Sequence, residues 1–275
     1  MNYLNKFFQR VKRKFKSTIE ESSQLIESIT ESVPRPISQD DFEWSLYNSH
    51  YRGELDEIQK VHTLRLSSEN YSFINNCLVP SQDILPLHPN HRLLYKTILQ
   101  LSPQSKIEIG CGGGDHLHNL SILSSKIDLY GCDLSEDQIN YLRERNPNLK
   151  ASIQSFDITL LFSSLLPFVD IFYTQAVIMH LKTVNNHLIA LSNLFKLAQN
   201  QVILMENWSC HNFKSDIEFL FKNGMLPWTN LYFYFRRAPE LNNHPHIMIV
   251  SSSKLDFGVT VGLQTVTPKS IGSAF

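Results

Sequence analysis

The sequence predicts an α/β fold: a doubly wound, seven-stranded and mostly parallel sheet that ends in a C-terminal antiparallel pair. From Lys106 onward, short apolar runs alternate with amphipathic stretches, which is the pattern of parallel strands joined by helices. A glycine-rich stretch directly follows the first apolar run, and acidic residues mark the ends of three successive runs. We also expect an N-terminal helical extension before this core.

The length and spacing of the apolar residues predict the individual elements. Two helical patterns precede the core, at residues 54–66 and 91–101. Five apolar runs predict the parallel strands, at residues 106–109, 127–132, 151–156, 169–174 and 202–206. Helices are expected between and after these strands, at residues 115–124, 135–146, 159–165, 181–197 and 213–221. Two further runs predict the antiparallel pair, at residues 231–235 and 246–251.

Composition divides the chain into four segments. Residues 1–35 form a basic amphipathic extension, which Pro34 interrupts because proline lacks the backbone N–H that a helix needs. Residues 36–100 are expected to form a helical cap or lid, and residues 101–255 the core. Residues 256–275 are rich in Gly, Ser and Thr and predict a flexible tail.

Two interpretations of residues 1–20 stay open. Their basic, amphipathic pattern is typical of helices that lie on an anionic membrane surface. The same pattern suits a solvated helix, or a helix that pairs in a homodimer. The expected location is the cytoplasm, with peripheral contact at the inner face of the membrane under the first interpretation.

The composition also narrows the compartment and the partners. The formal net charge is −1, so no overall field attracts nucleic acid, and no nucleic-acid partner is expected. Cys77, Cys111, Cys132 and Cys210 lack the C-x-x-C spacing of a zinc or redox motif, and a reducing compartment is the plain interpretation. No apolar run reaches the roughly 18 residues of a membrane span, and no secretory signal is expected.

The glycine-rich stretch at residues 110–114 predicts a ligand site. Glycines after a buried strand permit a tight turn and bring a ligand close to bare backbone at a helix N-terminus. Two features separate the stretch from a dinucleotide fingerprint. Asp115 occupies the position of the last glycine, and Glu108 lies two residues before the first. A buried Glu108 needs a partner, and a cationic ligand provides one whereas a pyrophosphate is repelled.

Two further acidic residues follow the next strands. Asp133 ends the second strand, where an acidic residue commonly accepts hydrogen bonds from ribose hydroxyls, and Asp157 ends the third. Together with Glu108 they describe a site for a ribose-bearing cation without phosphates. The alternatives are a nucleotide or flavin enzyme for the glycine loop, and helix capping for Asp133 and Asp157.

These segments resemble the motifs of class I S-adenosylmethionine-dependent methyltransferases, a family with a Rossmann-like fold. Residues 108–114 are similar to the E/D-x-G-x-G-x-G motif, and residues 169–181 to the fourth-strand motif. The resemblance covers about residues 90 to 252. It implies that S-adenosylmethionine is the cofactor, and that the residues in contact with it are Glu108, Gly110, Cys111, Gly112, Gly114, His116, Asp133, Leu134, Asp157, Ile158, Gln175 and Ala176.

The candidates for chemistry follow the fourth and fifth strands. Transfer to an oxygen acceptor benefits from a general base, and His180 or His211 has a suitable intrinsic pKa. Glu206 is a third candidate, with a buried structural carboxylate as its alternative. No metal is expected, because Asp170 begins its strand and therefore lies at the opposite edge of the sheet.

The segment around residues 47–53 predicts a lid over the cofactor. Tyr51 and Arg52 are candidates to cover it or to hold its carboxylate, since Arg binds carboxylates in a bidentate manner. An ordinary packed helix with an exposed Arg is the alternative. His88 and His91 lie in a proline-rich segment and reach the acceptor under one interpretation, or belong to a solvated loop under the other.

The expected activity is O-methylation of a small molecule or saccharide. Aromatic residues near the C-terminal part, such as Trp208 and Trp228, suit a stacking platform for such an acceptor, or form ordinary core. Two other classes of function stay open: a cofactor-binding protein without catalysis inside a biosynthetic complex, and a nucleotide-dependent oxidoreductase.

Overall fold

A mixed β-sheet organises the chain in the computed structural model. The structure describes residues 53–75, 77–81, 84–160, 166–182, 185–238 and 246–256, together with the backbone of residues 263–266. The predicted N-terminal helix, Tyr51, Arg52 and most of the helix expected at residues 159–165 lie outside the described residues.

The strands form one hairpin and one large sheet. The hairpin consists of β1 (Tyr71–Ile74) and β2 (Cys77–Pro80). The sheet contains β3 (Ser105–Ile109), β4 (Asp128–Asp133), β5 (Ser152–Ser155), β6 (Val169–Gln175), β7 (Ala198–Met205), β8 (Leu231–Arg236), β9 (Ile247–Ser251) and β10 (Leu263–Val266). Its order is β10-β8-β9-β7-β6-β3-β4-β5. The seven predicted strands are all present, and the mostly parallel sheet with a C-terminal antiparallel pair is confirmed.

Six helices and one short 3₁₀ turn accompany the strands in the described part of the chain. They are α1 (residues 53–59), α2 (Pro89–Leu101), α3 (Asp115–Leu123), α4 (Glu136–Arg145), the 3₁₀ turn Ile178–His180, α5 (Asn186–Leu197) and α6 (Phe213–Lys222). Helix α4 shows why the local sequence forms a helix. Ser135 caps it by accepting a hydrogen bond from the Gln138 N–H, and its first turn is acidic while its last turn is basic.

The sheet buries apolar side chains on both faces, which explains the nearly continuous apolar runs. In β6, Phe172 packs on the face covered by α5 and α6, whereas Ile171 and Tyr173 pack on the face covered by α2 and α3. Each fully buried side chain of this size contributes about 1.5 to 3 kcal/mol. Because both faces of the strand are covered, apolar residues are needed at consecutive positions rather than at every second one.

The parallel register brings the carboxyl ends of neighbouring strands to one edge. Ile109 of β3 pairs with Cys132 of β4 and with Thr174 of β6, and Thr174 pairs in turn with Leu204 of β7. The segments after these four strands therefore lie next to one another. Asp170 lies at the opposite edge, as predicted, where its carboxylate accepts hydrogen bonds from the backbone N–H groups of Gln104 and Ser105.

The helix predicted at residues 54–66 is shorter in the structure. Helix α1 ends at residue 59, and Val61 is 58% exposed although the helical pattern places it on the apolar face. The chain then runs extended, with Leu64 and Leu66 both buried and Thr63 bridged to Leu87. Burial at every second residue is the strand period, so this signal is present in the sequence but is masked by the overlapping helical spacing.

The hairpin β1–β2 is a second departure from the helical cap predicted for residues 36–100. Tyr71 and Ser72 pair with Pro80 and Val79 across a turn that begins at Asn75, whose φ is +49°. Asparagine tolerates this left-handed conformation better than most residues. The Asn-Asn pair between two short apolar runs is the turn signal that the prediction misses.

The C-terminal tail contains an eighth strand of the sheet. β10 lies inside the segment predicted to be flexible, and it pairs antiparallel with β8. Leu263, Thr265 and Val266 give this short run the composition of a strand. The open edge of β8 supplies its hydrogen-bonding partner, which the sequence alone does not reveal.

Asn119 attaches the segment before the sheet to helix α3. Its buried side chain accepts a hydrogen bond from the Leu66 N–H and donates to the Leu64 carbonyl and the Tyr95 hydroxyl. We expect Asn119→Leu to lower the free energy of unfolding by about 2 to 4 kcal/mol, because buried backbone groups lose their partners. Urea denaturation measures this change, with Ser121→Ala on the same helix as a near-neutral control. A loss below about 1 kcal/mol for Asn119→Leu would contradict the interpretation.

Candidate functional site

A cavity of about 410 Å³ opens at the carboxyl edge of the parallel strands. Its lining comes from the glycine turn after β3, from the ends of β4, β5 and β6, and from α1 and α2 near the N-terminal side. The predicted cofactor-contacting residues that line it are Glu108, Gly110, Cys111, Gly112, His116, Asp133, Leu134, Asp157, Ile158, Gln175 and Ala176. Gly114 is not among the residues that line the cavity.

Backbone conformation explains the glycines of the turn. Gly110 has φ +71° and Gly114 has φ +77°, in the left-handed region that disfavours other residues. A Cβ at Gly110 would lie 2.3 Å from Val177 Cγ2, so the turn after β6 packs directly on bare backbone. Gly110 and Cys111 both donate backbone hydrogen bonds to the Cys132 carbonyl, at 2.7 and 3.0 Å. These bonds hold the glycine turn against the end of β4.

Asp133 joins the glycine turn to the next helix. One carboxylate oxygen accepts from the Gly112 N–H at 2.9 Å and the other accepts from the Ser135 N–H at 2.9 Å. Burial raises the pKa of Asp133, and these backbone hydrogen bonds oppose the rise. The carboxylate is therefore fixed in position at the cavity wall. Capping of α4 falls to Ser135 rather than to Asp133.

Glu108 lies almost completely buried beneath the cavity, with 2% of its surface exposed. The Tyr173 hydroxyl donates to its Oε2 at 3.1 Å. Burial raises the pKa of Glu108 well above the ordinary range, while the hydrogen bond from Tyr173 and the charge of Lys106 oppose the rise. A carboxyl group in this state gains most from a cationic ligand, because the positive charge offsets the cost of ionisation in a buried place.

The ends of β5 and β4 form the part of the cavity around Asp157. Its Oδ1 accepts hydrogen bonds from the Thr159 N–H at 2.8 Å and from the Thr159 hydroxyl at 2.6 Å. Leu134 lies 56% exposed on the cavity wall, and Phe156 and Ile158 also line it. An exposed leucine next to a phenylalanine offers an apolar surface for a flat ring.

The turn after β6 adopts a strained conformation at the cavity. Ala176 has φ +54°, which costs about 1 to 2 kcal/mol for a residue with a Cβ. Its N–H donates to the Met205 carbonyl at 2.9 Å, which holds the strained residue in place. Gln175, directly before it, also lines the cavity. Strain retained at a cavity wall is typical of functional sites.

Glu206 supports this turn from below. Its carboxylate accepts from the Thr174 hydroxyl at 2.6 Å and from the N–H groups of Val177 at 3.1 Å and Met179 at 3.0 Å. Glu206 is 7% exposed, and it is not among the cavity-lining residues. These contacts favour the structural alternative for Glu206 over a catalytic one.

The two histidines predicted as bases occupy different places. His180 lines the cavity at the end of the 3₁₀ turn, and burial lowers its pKa. His211 is not among the cavity-lining residues. Its Nε2 donates to the Ile178 carbonyl at 3.2 Å, and its ring stacks on His187 with a centroid distance of 4.2 Å. The structure thus brings His180, but not His211, to the predicted ligand site.

Part of the cavity wall consists of residues that no sequence motif indicates. Leu55 and Ile58 of α1 and Leu64 line the cavity, although their spacing alone indicates only a helix. Asp115 also lines it and forms an ion pair with Arg145 at 3.0 Å. Its place in the glycine motif is visible in the sequence, but its distant partner is not. These residues are assembled by tertiary contacts across long sequence separations.

A metal site and a membrane-spanning helix are both absent from the described residues. Across those residues, no cluster of three or more His, Cys, Asp or Glu side chains is arranged to hold a metal ion. Among the helices that the structure describes, each is too short or too polar to cross a bilayer.

Sequence comparison assigns the region around the cavity to a family. The profile of a family described as a methyltransferase domain matches residues 107–204, which contain β3 to β7 and the turns at the cavity. A search of curated protein sequences finds no match to this chain.

Many solved structures are similar to this chain, and those compared here are distant from it in sequence. A TehB-like SAM-dependent methyltransferase from Corynebacterium glutamicum is 15% identical, with a TM-score of 0.51, over 76% of this chain and 100% of that chain. The plantazolicin methyltransferase BpumL is 15% identical, with a TM-score of 0.46, over 60% and 83%. DesVI from Streptomyces venezuelae is 22% identical, with a TM-score of 0.37, over 43% and 51%.

Gly110 provides a test of the close packing between the two turns. We expect Gly110→Ala to lower the free energy of unfolding by about 2 to 4 kcal/mol, because a left-handed φ and a clash with Val177 both oppose the new Cβ. Gly224→Ala is the matched control, since Gly224 has φ +67° but no atom within 4 Å of a new Cβ. Chemical denaturation measures both variants. Equal losses for the two would show that the packing against Val177 is loose.

Proposed function

Because this chain is a class I S-adenosylmethionine-dependent methyltransferase, we propose that it O-methylates a small molecule or saccharide by direct in-line transfer. The observation that carries the proposal is the chemistry of the cavity. Carboxylates from three successive strands, Glu108, Asp133 and Asp157, reach one cavity. Lysine and arginine are absent from the described residues that line it.

This charge distribution suits the cofactor. A sulfonium is positively charged and is stabilised by the buried Glu108, while a nucleoside without phosphates needs no basic partner. We expect Asp133 to accept hydrogen bonds from the ribose hydroxyls, and Asp157 and Leu134 to contact the adenine; their presence in the cavity lining supports these roles. The cavity volume of about 410 Å³ falls within the ordinary range for ligand sites of this size.

The reaction needs positioning more than covalent help from the protein. S-adenosylmethionine supplies a methyl group on sulfur with a thioether as leaving group. A bond forms between the acceptor oxygen and the methyl carbon while the carbon–sulfur bond breaks, and the hydroxyl proton leaves to a base. The glycine turn and the strained Ala176 fix the donor, so that effective concentration and alignment lower the barrier.

We assign the role of the base to His180. It lines the cavity at the end of the 3₁₀ turn, and its lowered pKa keeps the imidazole neutral at physiological pH. His211 is the weaker candidate because it lies outside the cavity lining. Glu206 contributes indirectly by holding Val177 and Met179, the residues that lead into His180.

The lid remains part of the proposal. Arg52 lies three residues before Leu55, which lines the cavity, so a role for Tyr51 and Arg52 at the cofactor is consistent with the position of α1. The apolar contribution of Leu55, Ile58 and Leu64 favours an acceptor with an apolar surface next to its hydroxyl group.

Calorimetry and a transfer assay test this function. We expect S-adenosylhomocysteine to bind in the micromolar range and NAD not to bind, because Glu108 repels a pyrophosphate. Methyl-labelled S-adenosylmethionine, incubated with a small-molecule extract of the source cells, should yield base-stable labelled ethers. Binding without transfer would favour the non-catalytic alternative, and binding of NAD would favour an oxidoreductase. A base-labile ester or a labelled amine would exclude the ether product.

We expect the affinity for S-adenosylmethionine to depend on the charge of Glu108. The sulfonium favours its carboxylate form, so binding releases the proton that the raised pKa retains in the free protein. The affinity for S-adenosylmethionine should therefore increase with pH until the pH exceeds that pKa. S-adenosylhomocysteine, with a neutral sulfur, should show less of this dependence. Calorimetry of both ligands between pH 5 and pH 8 measures the difference.

The variant Glu108→Gln tests the attraction between the Glu108 carboxylate and the sulfonium, because it removes the charge and keeps the size of the side chain. We expect it to weaken S-adenosylmethionine binding roughly tenfold and S-adenosylhomocysteine binding less than about threefold, since only the first carries the charge. Glu136→Gln, at an exposed position in the first turn of α4, is the control. Equal weakening of both ligands by Glu108→Gln would contradict an electrostatic role.

A further inference from the structure

His211 is hydrogen-bonded to the turn that carries His180. Its Nε2 lies 3.2 Å from the carbonyl oxygen of Ile178, the first residue of the 3₁₀ turn that ends at His180. The two partners are 33 positions apart in the chain, so this contact joins the segment after β7 to the segment after β6. The same carbonyl also accepts from the Leu181 N–H at 3.0 Å. A side chain outside the cavity lining therefore holds a turn that belongs to the cavity wall.

The direction of this hydrogen bond defines the state of the His211 ring. A carbonyl oxygen only accepts, so the Nε2 atom carries the proton. In a neutral imidazole, Nδ1 is then the only nitrogen that can accept a proton. A ring whose Nε2–H is bonded to the backbone, away from the cavity lining, is suited to hold that backbone rather than to act as the base.

Aromatic packing fixes the orientation of the His211 ring. The ring stacks on His187 with a centroid distance of 4.2 Å and an interplanar angle of 9°, and it meets Phe213 edge-on at 5.5 Å and 90°. Phe213 is 2% exposed and meets Trp208 in the same edge-on manner, at 5.5 Å. His187 belongs to the first turn of α5 and Phe213 to the first turn of α6. Contacts with two helices thus give the Nε2–H a defined direction.

The groups around the ring keep it uncharged at neutral pH. Burial lowers the pKa of His211, and the charge of Lys182 lowers it further, while backbone hydrogen bonds oppose the shift. Burial, together with His211, lowers the pKa of His187 to about 4. Asp216, whose Oδ2 lies 3.7 Å from the His187 Nε2, has a pKa that burial raises to about 6. Two neutral imidazoles stack without charge repulsion, so the packing persists at neutral pH.

Glu206 and His211 hold the same turn through complementary groups. The Glu206 carboxylate accepts hydrogen bonds from the N–H groups of Val177 and Met179. The His211 imidazole donates to the carbonyl of Ile178, the residue between them. Three consecutive residues directly before the proposed base are therefore bonded to side chains. A misplacement of about 1 Å can lower the rate of an enzyme roughly a hundredfold, so the support of this turn bears on catalysis.

We propose that His211 is a positioning residue, which holds the Ile178 carbonyl and thereby orients His180 toward the methyl acceptor. This inference rests on the proposed function, because it concerns the base of the same reaction. His211 exchanges no proton with the substrate and acts only through the backbone of the turn. Loss of its N–H should therefore disturb the rate of transfer and the surroundings of His180, and leave cofactor binding in place.

The variants His211→Phe and His211→Gln separate the N–H from the rest of the ring. Phe keeps an aromatic ring for the stack but has no donor, whereas Gln keeps an N–H donor with a reach similar to that of Nε2. With saturating methyl-labelled S-adenosylmethionine and a saturating amount of the same small-molecule extract, we expect His211→Phe to lower the rate about tenfold or more, and His211→Gln to stay within about threefold of the wild type. The calorimetric affinity for S-adenosylhomocysteine should change less than about threefold in both variants, which also shows that they are folded.

His118→Phe is the matched control. The His118 Nε2 also donates to a backbone carbonyl, that of Leu66 at 2.9 Å, and His118 is not among the residues that line the cavity. We expect this variant to lose a similar amount of stability in urea as His211→Phe, and to transfer methyl groups within about threefold of the wild-type rate. If His211→Phe does not bind S-adenosylhomocysteine, His211→Asn replaces it, because the shorter amide does not reach the Ile178 carbonyl.

The pH dependence of the rate distinguishes positioning from base catalysis. With His180 as the base, the wild-type rate falls at low pH as His180 becomes protonated. We expect His211→Gln to show the same fall at the same pH, because the base is still present. If His211 were the base, His211→Gln would be as slow as His211→Phe and would lose this acid limb.

A measurement without the acceptor follows His180 directly. In protein with isotope-labelled histidine and bound S-adenosylhomocysteine, the NMR signal of the His180 ring is identified by its loss in His180→Gln. We expect this signal to move in His211→Phe, and to stay near its wild-type position in His211→Gln and His118→Phe. An unchanged His180 signal in His211→Phe would overturn the proposal.

The outcomes separate this inference from the function on which it rests. Absence of transfer by the wild type, with S-adenosylhomocysteine bound, would reject the proposed function, and the His180 signal would still decide whether His211 orients that ring. Equal rates for the wild type and His211→Phe would reject the positioning role alone. Equal losses in the Phe and Gln variants, or an equal loss in His118→Phe, would also reject it, because neither result depends on the N–H that binds Ile178.

Discussion

Carboxylates that accept hydrogen bonds from backbone N–H groups hold the carboxyl edge of this sheet in shape. Asp133 binds the N–H groups of Gly112 and Ser135, and Glu206 binds those of Val177 and Met179. These hydrogen bonds favour the ionised carboxylate and so oppose the rise in pKa that burial causes at both residues. They fix turns that have no regular secondary structure of their own. The cavity therefore has rigid walls although most of its lining comes from loops.

Glutamate has two roles at this edge, and the number of hydrogen-bond donors around each carboxyl group separates them. Glu206 has its hydrogen-bonding capacity satisfied by a hydroxyl and by backbone N–H groups, so it stabilises the turn after β6. Glu108 accepts a hydrogen bond from the Tyr173 hydroxyl, and burial raises its pKa well above the ordinary value. An electrostatically unsatisfied carboxyl group is suited to a cationic ligand. The strain at Ala176 follows the same logic, because it is a local cost at the cavity wall that a bound ligand can offset.

The N-terminal segment completes the site rather than merely covering it. Asn119 ties residues 64–66 to α3, and Thr63 bridges to Leu87. These attachments help to place Leu64, His88 and His91 on the cavity wall. The glycine turn, which follows β3, contributes another part of the same wall. The glycine turn and the ends of the parallel strands thus form one part of the cavity wall, whereas residues before β3 form another part.

The sequence by itself determined the fold class, the seven strands and the carboxylates at their ends, because doubly buried strands require apolar runs and a tight turn requires glycines. Glu108 was recognisable since a buried acid beside a glycine turn has few explanations. Only the tertiary structure decided that Glu206 faces backbone N–H groups, that His211 lies off the cavity lining while His180 joins it, and that β10 extends the sheet. It also brought the rings of His62, His88, His91 and His116 next to one another, although these residues lie up to 54 positions apart. Local spacing encodes periodicity and turns, but contacts between distant segments depend on how whole elements pack.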